Sequence, residues 1–187
     1  MNLTNHFLIA MPSLQQTLFE KTVIYICEHN EDGAMGVIIN QPIDVSIAEM
    51  FEKIEVEPSY LITQPSKLTA QVLNGGPVSE DRGFVLHSGH HNYTSSILIT
   101  DQLALTTSLD VLSELGSSQG PQQFLVALGY AGWDAGQLEQ ELAENSWLTV
   151  EADPEIIFNT PLNQRWQHAI SKMGFTAAQL STDVGHA

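Results

Sequence analysis

Phe124-Leu125-Val126-Ala127-Leu128-Gly129-Tyr130-Ala131-Gly132-Trp133-Asp134-Ala135-Gly136-Gln137-Leu138-Glu139 passes from a wholly apolar segment through three glycines and two large aromatic residues into an acidic one. Its first five residues have the unbroken apolarity of a strand buried on both faces. Glycine after such a strand permits a positive φ, or the close approach of another group. The spacing therefore predicts a strand over 124–128 and a junction that something approaches closely. Asp134 and Gln137 suit an N-cap and its N3 partner, which predicts a helix from there to about Asn145. The free N–H groups of such a helix start suit an anion or carboxylate.

Upstream, apolar runs at Phe7–Met11, Thr22–Glu28 and Ala34–Asn40 read as strands, the last two joined by Asn30-Glu31-Asp32-Gly33. Asp-Gly at a turn favours antiparallel pairing. After Pro42 the period changes: Ile47, Met50, Phe51 and Ile54 fall at i, i+3, i+4 and i+7 behind a Ser46-x-x-Glu49 capping box, which predicts a short amphipathic helix. A polar loop over 55–69 follows, then strands at Gln71–Asn74, Gly83–His87, Ser96–Ile99 and Leu103–Thr106. A helix is expected from Leu109 to Leu115, ended by Gly116, and a last one from Thr160-Pro161 to Gly174 carrying Leu162, Trp166, Ala169, Ile170 and Met173 on one side. The pattern is strand-rich and mainly antiparallel. No repeat or low-complexity linker interrupts it, so a single domain over 1–187 is expected.

The chain has 187 residues, 43% of them hydrophobic, with 6 Lys+Arg against 22 Asp+Glu for a formal charge of −16. That field repels nucleic-acid backbones, so direct DNA binding is disfavoured. The single cysteine, Cys27, excludes an internal disulfide and fits a reducing compartment. The apolar segment Phe7–Met11 is too short for a signal core or a membrane span. A cytoplasmic location without membrane association is expected.

Cys27-Glu28-His29 gathers a thiol, a carboxylate and an imidazole within three residues. Catalysis would need an exposed, activated thiol and an oriented base, which neighbouring strand positions rarely provide. A lone Cys flanked by apolar residues is usually small and buried, and Glu28 and His29 would then serve binding rather than reaction. His87, His90 and His91 invite a metal, but their spacing matches no ligand signature, and surface-loop histidines are expected. Asn74-Gly75-Gly76-Pro77 and Arg82-Gly83 have glycine density without a phosphate-loop pattern; Arg82 is expected to pair internally with Glu28 or Glu80 or to clamp a ligand carboxylate. Tyr130 and Trp133 fill a core edge or wall a small pocket floored by Gly132, with Gln137 and Glu139 at its rim. No cofactor is implied.

Phe7-Leu8-Ile9-Ala10-Met11-Pro12, Ile26-Cys27-Glu28-His29, Gly33-Ala34-Met35-Gly36-Val37-Ile38-Ile39-Asn40, Gly75-Gly76-Pro77-Val78, Arg82-Gly83-Phe84-Val85-Leu86-His87 and Gly129-Tyr130-Ala131-Gly132-Trp133 together resemble the YqgE/AlgH family of bacterial proteins. The resemblance extends to Trp147-Leu148-Thr149 and Gly185-His186-Ala187. It implies an α+β fold, a mostly antiparallel mixed sheet curled into a pseudo-barrel with flanking helices. One branch of the family is labelled a regulator of exopolysaccharide gene expression, and the family supplies no accepted catalytic residues.

These readings converge on a non-enzymatic regulatory or interaction domain acting through a protein or small-molecule partner. Its expected binding surface comprises Glu28, His29, Asn74, Gly75, Gly76, Arg82, Tyr130, Gly132, Trp133 and Gln137. The alternatives are a small-molecule hydrolase or transferase using His29 with Glu28 or Cys27, and a direct DNA-binding regulator. The oligomeric state is left open.

Overall fold

The structure, a computed structural model, describes residues 1–89 and 91–180, so His90 and the terminal Gly185-His186-Ala187 lie outside the described residues. Along the chain the strands and helices are β1 (His6–Ala10), β2 (Val23–Asn30), β3 (Gly33–Ile38), β4 (Pro42–Ser46), α1 (Ile47–Lys53), β5 (Gln71–Asn74), β6 (Val78–Ser88), β7 (Ser96–Leu98) and β8 (Leu103–Thr106). They continue as β9 (Phe124–Asp134), α2 (Gln137–Ala143), β10 (Trp147–Glu151), α3 (Pro154–Phe158) and α4 (Arg165–Lys172). Short 3₁₀ turns include Pro65–Thr69, Leu109–Glu114 and Leu162–Gln164. The class is α+β with chiefly antiparallel pairing. The chain divides into two compact units, Met1–Asn40 with the chain from Ala131 onward, and Gln41–Tyr130.

In the first unit the order is β10-β1-β2-β3, followed by residues 131–134 of β9, antiparallel throughout. Cross-strand partners Leu8, Ile24 and Ile38 form one apolar row. With Trp133, Leu138 and Trp147 they build the core beneath α2. Phe7 and Ile9 alternate to the other face of β1 and are equally buried; α4 packs against β1 and β2. Burial on both faces explains why His6–Ala10 does not alternate in polarity. Each such aliphatic side chain stabilises the fold by about 1.5–3 kcal/mol. Arg165 anchors α4: its Nε donates to Thr160 O at 2.8 Å and its Nη1 to Ile39 O at 2.6 Å, and burial pulls its ionisation down to about 10.

In the second unit residues 124–130 of β9 are central. On one side β6, β8 and β7 follow in antiparallel order. On the other, β5 pairs parallel to β9 through Leu73↔Ala127 and Asn74↔Leu128, and β4 pairs antiparallel to β5. This parallel pair makes the pairing mixed, as a mostly antiparallel mixed sheet requires. α1 lays Ile47, Met50 and Phe51 on a core with Val72, Val85, Leu112 and Val126. Ser46 Oγ accepts from Glu49 N–H at 3.1 Å, the cap read in the sequence.

Two expectations for the opening stretch are corrected. β9 does not stop at Leu128 but runs through Asp134, so the glycines lie within a strand. Gly129 holds φ +77°, and a Cβ there would sit 2.3 Å from Gly76 O; the group that approaches is the chain's own Gly76 carbonyl. The N-cap of α2 is Gly136, with φ 78°, rather than Asp134. Gln137 does reach back, its Oε1 accepting from Asp134 N–H at 3.0 Å. α2 is seven residues long and ends at Ala143, and in its first turn the Glu139 carboxylate accepts from its own backbone N–H.

Candidate functional site

Of the sequence-derived surface, Glu28, His29, Gly132, Trp133 and Gln137 lie in the first unit and Asn74, Gly75, Gly76, Arg82 and Tyr130 in the second. In the first unit the register His29↔Ala34 and Ala34↔Trp133 sets His29 and Trp133 in one row beneath α2. His29 Nδ1 accepts from Leu3 N–H at 3.0 Å, and its Nε2 lies 2.7 Å from Glu139 Oε1. A nitrogen that accepts from an amide carries no proton, so the ring is the Nε2–H tautomer and donates to Glu139. The Glu139 carboxyl is held below its ordinary range by its own backbone N–H and then by His29. Both ring nitrogens are occupied, and neither is available to a substrate.

Cys27 is 1% exposed, and burial, helped by the Glu28 charge, pushes its thiol far above the ordinary range. A thiolate nucleophile needs the opposite environment. Glu28 itself is exposed, beside Asn30 Nδ2 at 3.3 Å. The hydrolase or transferase built on His29 with Glu28 or Cys27 therefore lacks a free imidazole and an activated thiol. Trp133 Nε1 donates to Glu141 Oε2 at 2.5 Å and Trp147 Nε1 to the same oxygen at 3.2 Å, their rings edge-to-face at 6.3 Å. One carboxylate on α2 thus satisfies two indoles of the core.

Trp133, in the first unit, packs into that unit's core with Leu138 and Trp147. Tyr130 instead meets Phe84 edge-on at 5.5 Å, and the Arg82 guanidinium lies 5.5 Å from the Phe84 ring centre. Among the described residues Arg82 makes no ion pair, which corrects the expected pairing with Glu28 or Glu80: stacking on Phe84 replaces it. Asn74 Oδ1 accepts from Gly76 N–H at 3.1 Å and Gly75 N–H donates to Leu128 O at 2.8 Å, so this glycine turn is a backbone junction.

His87 is 1% exposed, not a surface-loop residue. Its Nδ1 lies 3.1 Å from Ser88 O and its Nε2 2.7 Å from Thr106 Oγ1, which is 2.6 Å from Ser96 Oγ. A carbonyl only accepts, so Nδ1 carries the proton and Nε2 accepts from Thr106. Burial foremost lowers the pKa of His87. A carbonyl rather than a carboxylate orients the ring, which leaves the pair short of an acyl-transfer triad. Among the described residues no group of three His, Cys, Asp or Glu side chains is placed to hold a metal, and no helix is long and apolar enough to cross a membrane.

What the second unit does offer is a cavity of about 560 Å³. Val72, Val85, Val126 and Leu128 from the sheet and Met50 and Leu112 from above form its walls. Thr106 and Thr107 contribute to the lining; Lys53, Ile54, Asp81 and Leu109 line it from exposed positions. An apolar interior with few polar groups is the make-up of a small-molecule site. Asp81 sits in a bulge: β6 pairs Val78↔Tyr130 and then Gly83↔Leu128, so residues 79–82 are looped out, with Ser79 at φ 49°. Sequence reasoning missed this site because its walls are ordinary core residues from segments far apart in the chain. At its edge two apolar residues stay uncovered: Ile54, which continues the apolar stripe of α1, is 47% exposed, and Leu109 is 70% exposed.

A family model described as AlgH-like matches residues 7–178. A UPF0301 protein of Photobacterium profundum is 60% identical over 187 residues and one of Vibrio cholerae 58% identical over 187 residues, each covering all of both chains. The solution structure of the AlgH protein from Pseudomonas aeruginosa matches with TM-score 0.79 and 44% identity over 100% of this chain and 97% of that one. A crystal structure from Corynebacterium diphtheriae matches with TM-score 0.67 at 19% identity over 91% of this chain and 86% of that one, a likeness of fold alone.

Proposed function

Starting from the fact that the chain belongs to the AlgH-like family, we propose that it is a non-enzymatic, cytoplasmic regulatory domain that binds a small molecule in the cavity of residues 41–130 and acts through a protein partner. The supporting observation is that cavity: about 560 Å³, apolar inside, its charged lining groups Lys53 and Asp81 exposed. Volumes of roughly 300–1,000 Å³ are typical of ligand sites. The groups that chemistry would need are engaged or unactivated: Cys27 is buried with a raised pKa, both nitrogens of His29 are engaged, and His87 is held by Ser88 and Thr106. A charge of −16 makes direct DNA contact unfavourable, so any effect on gene expression runs through the partner.

Native mass spectrometry of protein purified from its own cells, before and after denaturation, tests this reading. A reproducible extra mass is expected, lost on denaturation and absent from Ile54→Glu, which places a charge at an exposed edge of the cavity. A bare mass, or an adduct unaffected by Ile54→Glu, would count against the cavity as the ligand site.

A further inference from the structure

Two charged side chains line the cavity, Lys53 at the end of α1 and Asp81 in the β6 bulge. Neither forms an ion pair among the described residues, with each other or with another group. For Lys53 this is unexpected. Glu49 stands four residues before it on α1, the favourable order for a helical ion pair, and the chain carries 22 acidic side chains against 6 Lys+Arg. Lys53 nonetheless lines the cavity with no carboxylate paired to it. The lining thus holds a cation and an anion kept apart beside an apolar interior.

A ligand that satisfies both must offer an anionic group to Lys53 and a cationic donor to Asp81 while burying an apolar body. A simple anion would leave Asp81 unmet and would enter against the field of a chain charged −16. A simple cation would leave Lys53 unmet. A zwitterion is indifferent to the net field and meets both. At about 30 Å³ for each water-sized group, the cavity takes on the order of 15–20 non-hydrogen atoms.

Resting on the reading of this cavity as a ligand site, we propose that its ligand is a zwitterionic α-amino acid with a large apolar or aromatic side chain, or a molecule with the same head group, its carboxylate on Lys53 and its ammonium on Asp81. Four probes with one body and different heads test this by equilibrium dialysis against the full chain: tryptophan, N-acetyltryptophan, tryptamine and skatole. Tryptophan is expected to bind tightest. Lys53→Met and Asp81→Asn should each weaken it about fivefold, the scale of a charge interaction at an exposed rim, while skatole binding and the melting temperature stay unchanged. Binding of all four within twofold of one another, or tightest binding of N-acetyltryptophan or tryptamine, would overturn the head-group assignment and leave the cavity reading standing. Failure of skatole and tryptophan alike to bind would overturn the cavity reading itself.

Discussion

Gly129→Ala isolates the backbone junction that lets β9 continue past its apolar half. At φ +77° an alanine meets the left-handed penalty of about 1–2 kcal/mol, offset by about 0.4–1 kcal/mol from the stiffer unfolded chain. Gly136→Ala carries the same terms at φ +78° with nothing within 4 Å of the new Cβ, so a net loss of about 0–1.6 kcal/mol is expected there. At Gly129 the Cβ would lie 2.3 Å from Gly76 O, and that carbonyl cannot retreat freely. Gly76 N–H is held by Asn74 Oδ1 at 3.1 Å and Gly75 N–H by Leu128 O at 2.8 Å. Giving up both bonds costs about 1 kcal/mol each, which brings the total for Gly129→Ala to about 3 kcal/mol. For a chain of this length that lowers the melting temperature by roughly 6–12 °C. Paired calorimetric or circular-dichroism melts of the two variants decide the matter. A Gly129→Ala protein no less stable than Gly136→Ala would refute the close-approach argument.

Three further outcomes follow from buried polar groups. Glu141→Ala strips the acceptor from the Trp133 and Trp147 N–H groups and should cost roughly 2–5 kcal/mol in urea unfolding, whereas Glu141→Gln keeps an acceptor oxygen and should recover most of it; equal midpoints would disprove the shared-acceptor role. His87 has a depressed folded pKa, so the unfolded chain binds more protons and the stabilisation is full above the unfolded value of about 6.5, fading as pH falls below it towards the folded one. The slope of unfolding free energy between about pH 5 and 7 should flatten in His87→Gln, and an unchanged slope would contradict this. Cys27 should resist iodoacetamide in the native protein and react on unfolding, since its thiol is buried and its pKa raised; rapid native alkylation would reopen the nucleophile reading.

Local physics was legible where it alone decides structure. Strands 71–74 and 103–106 and the Ser46 cap stand where polarity, turn residues and capping chemistry place them. β4 went unread because Pro and Asp are poor strand residues, although pairing with β5 makes Pro42–Ser46 a strand. β9 was cut short because its glycines carry turn chemistry, and only the crossing of Gly76 explains a left-handed glycine inside a ladder. The predicted helix at Leu109–Leu115 is a 3₁₀ segment, Leu109–Glu114. At the sequence-derived surface, the partners of each side chain were invisible in the sequence. His29 is occupied by Leu3 and by Glu139, which lies 110 positions away, and Arg82 rests on Phe84 instead of a carboxylate. The cavity left only the trace of two apolar residues, Ile54 and Leu109, that burial does not cover.

The central claim, a ligand seat within residues 41–130, is tested most directly by methyl-resolved NMR of the full chain titrated with skatole. The account predicts saturable shifts of the Val72, Val85 and Val126 methyls, with those of Leu8, Ile24 and Ile38 in the other unit unmoved. No saturable shift at the cavity valines, or shifts centred on Leu8 and its neighbours, would contradict it.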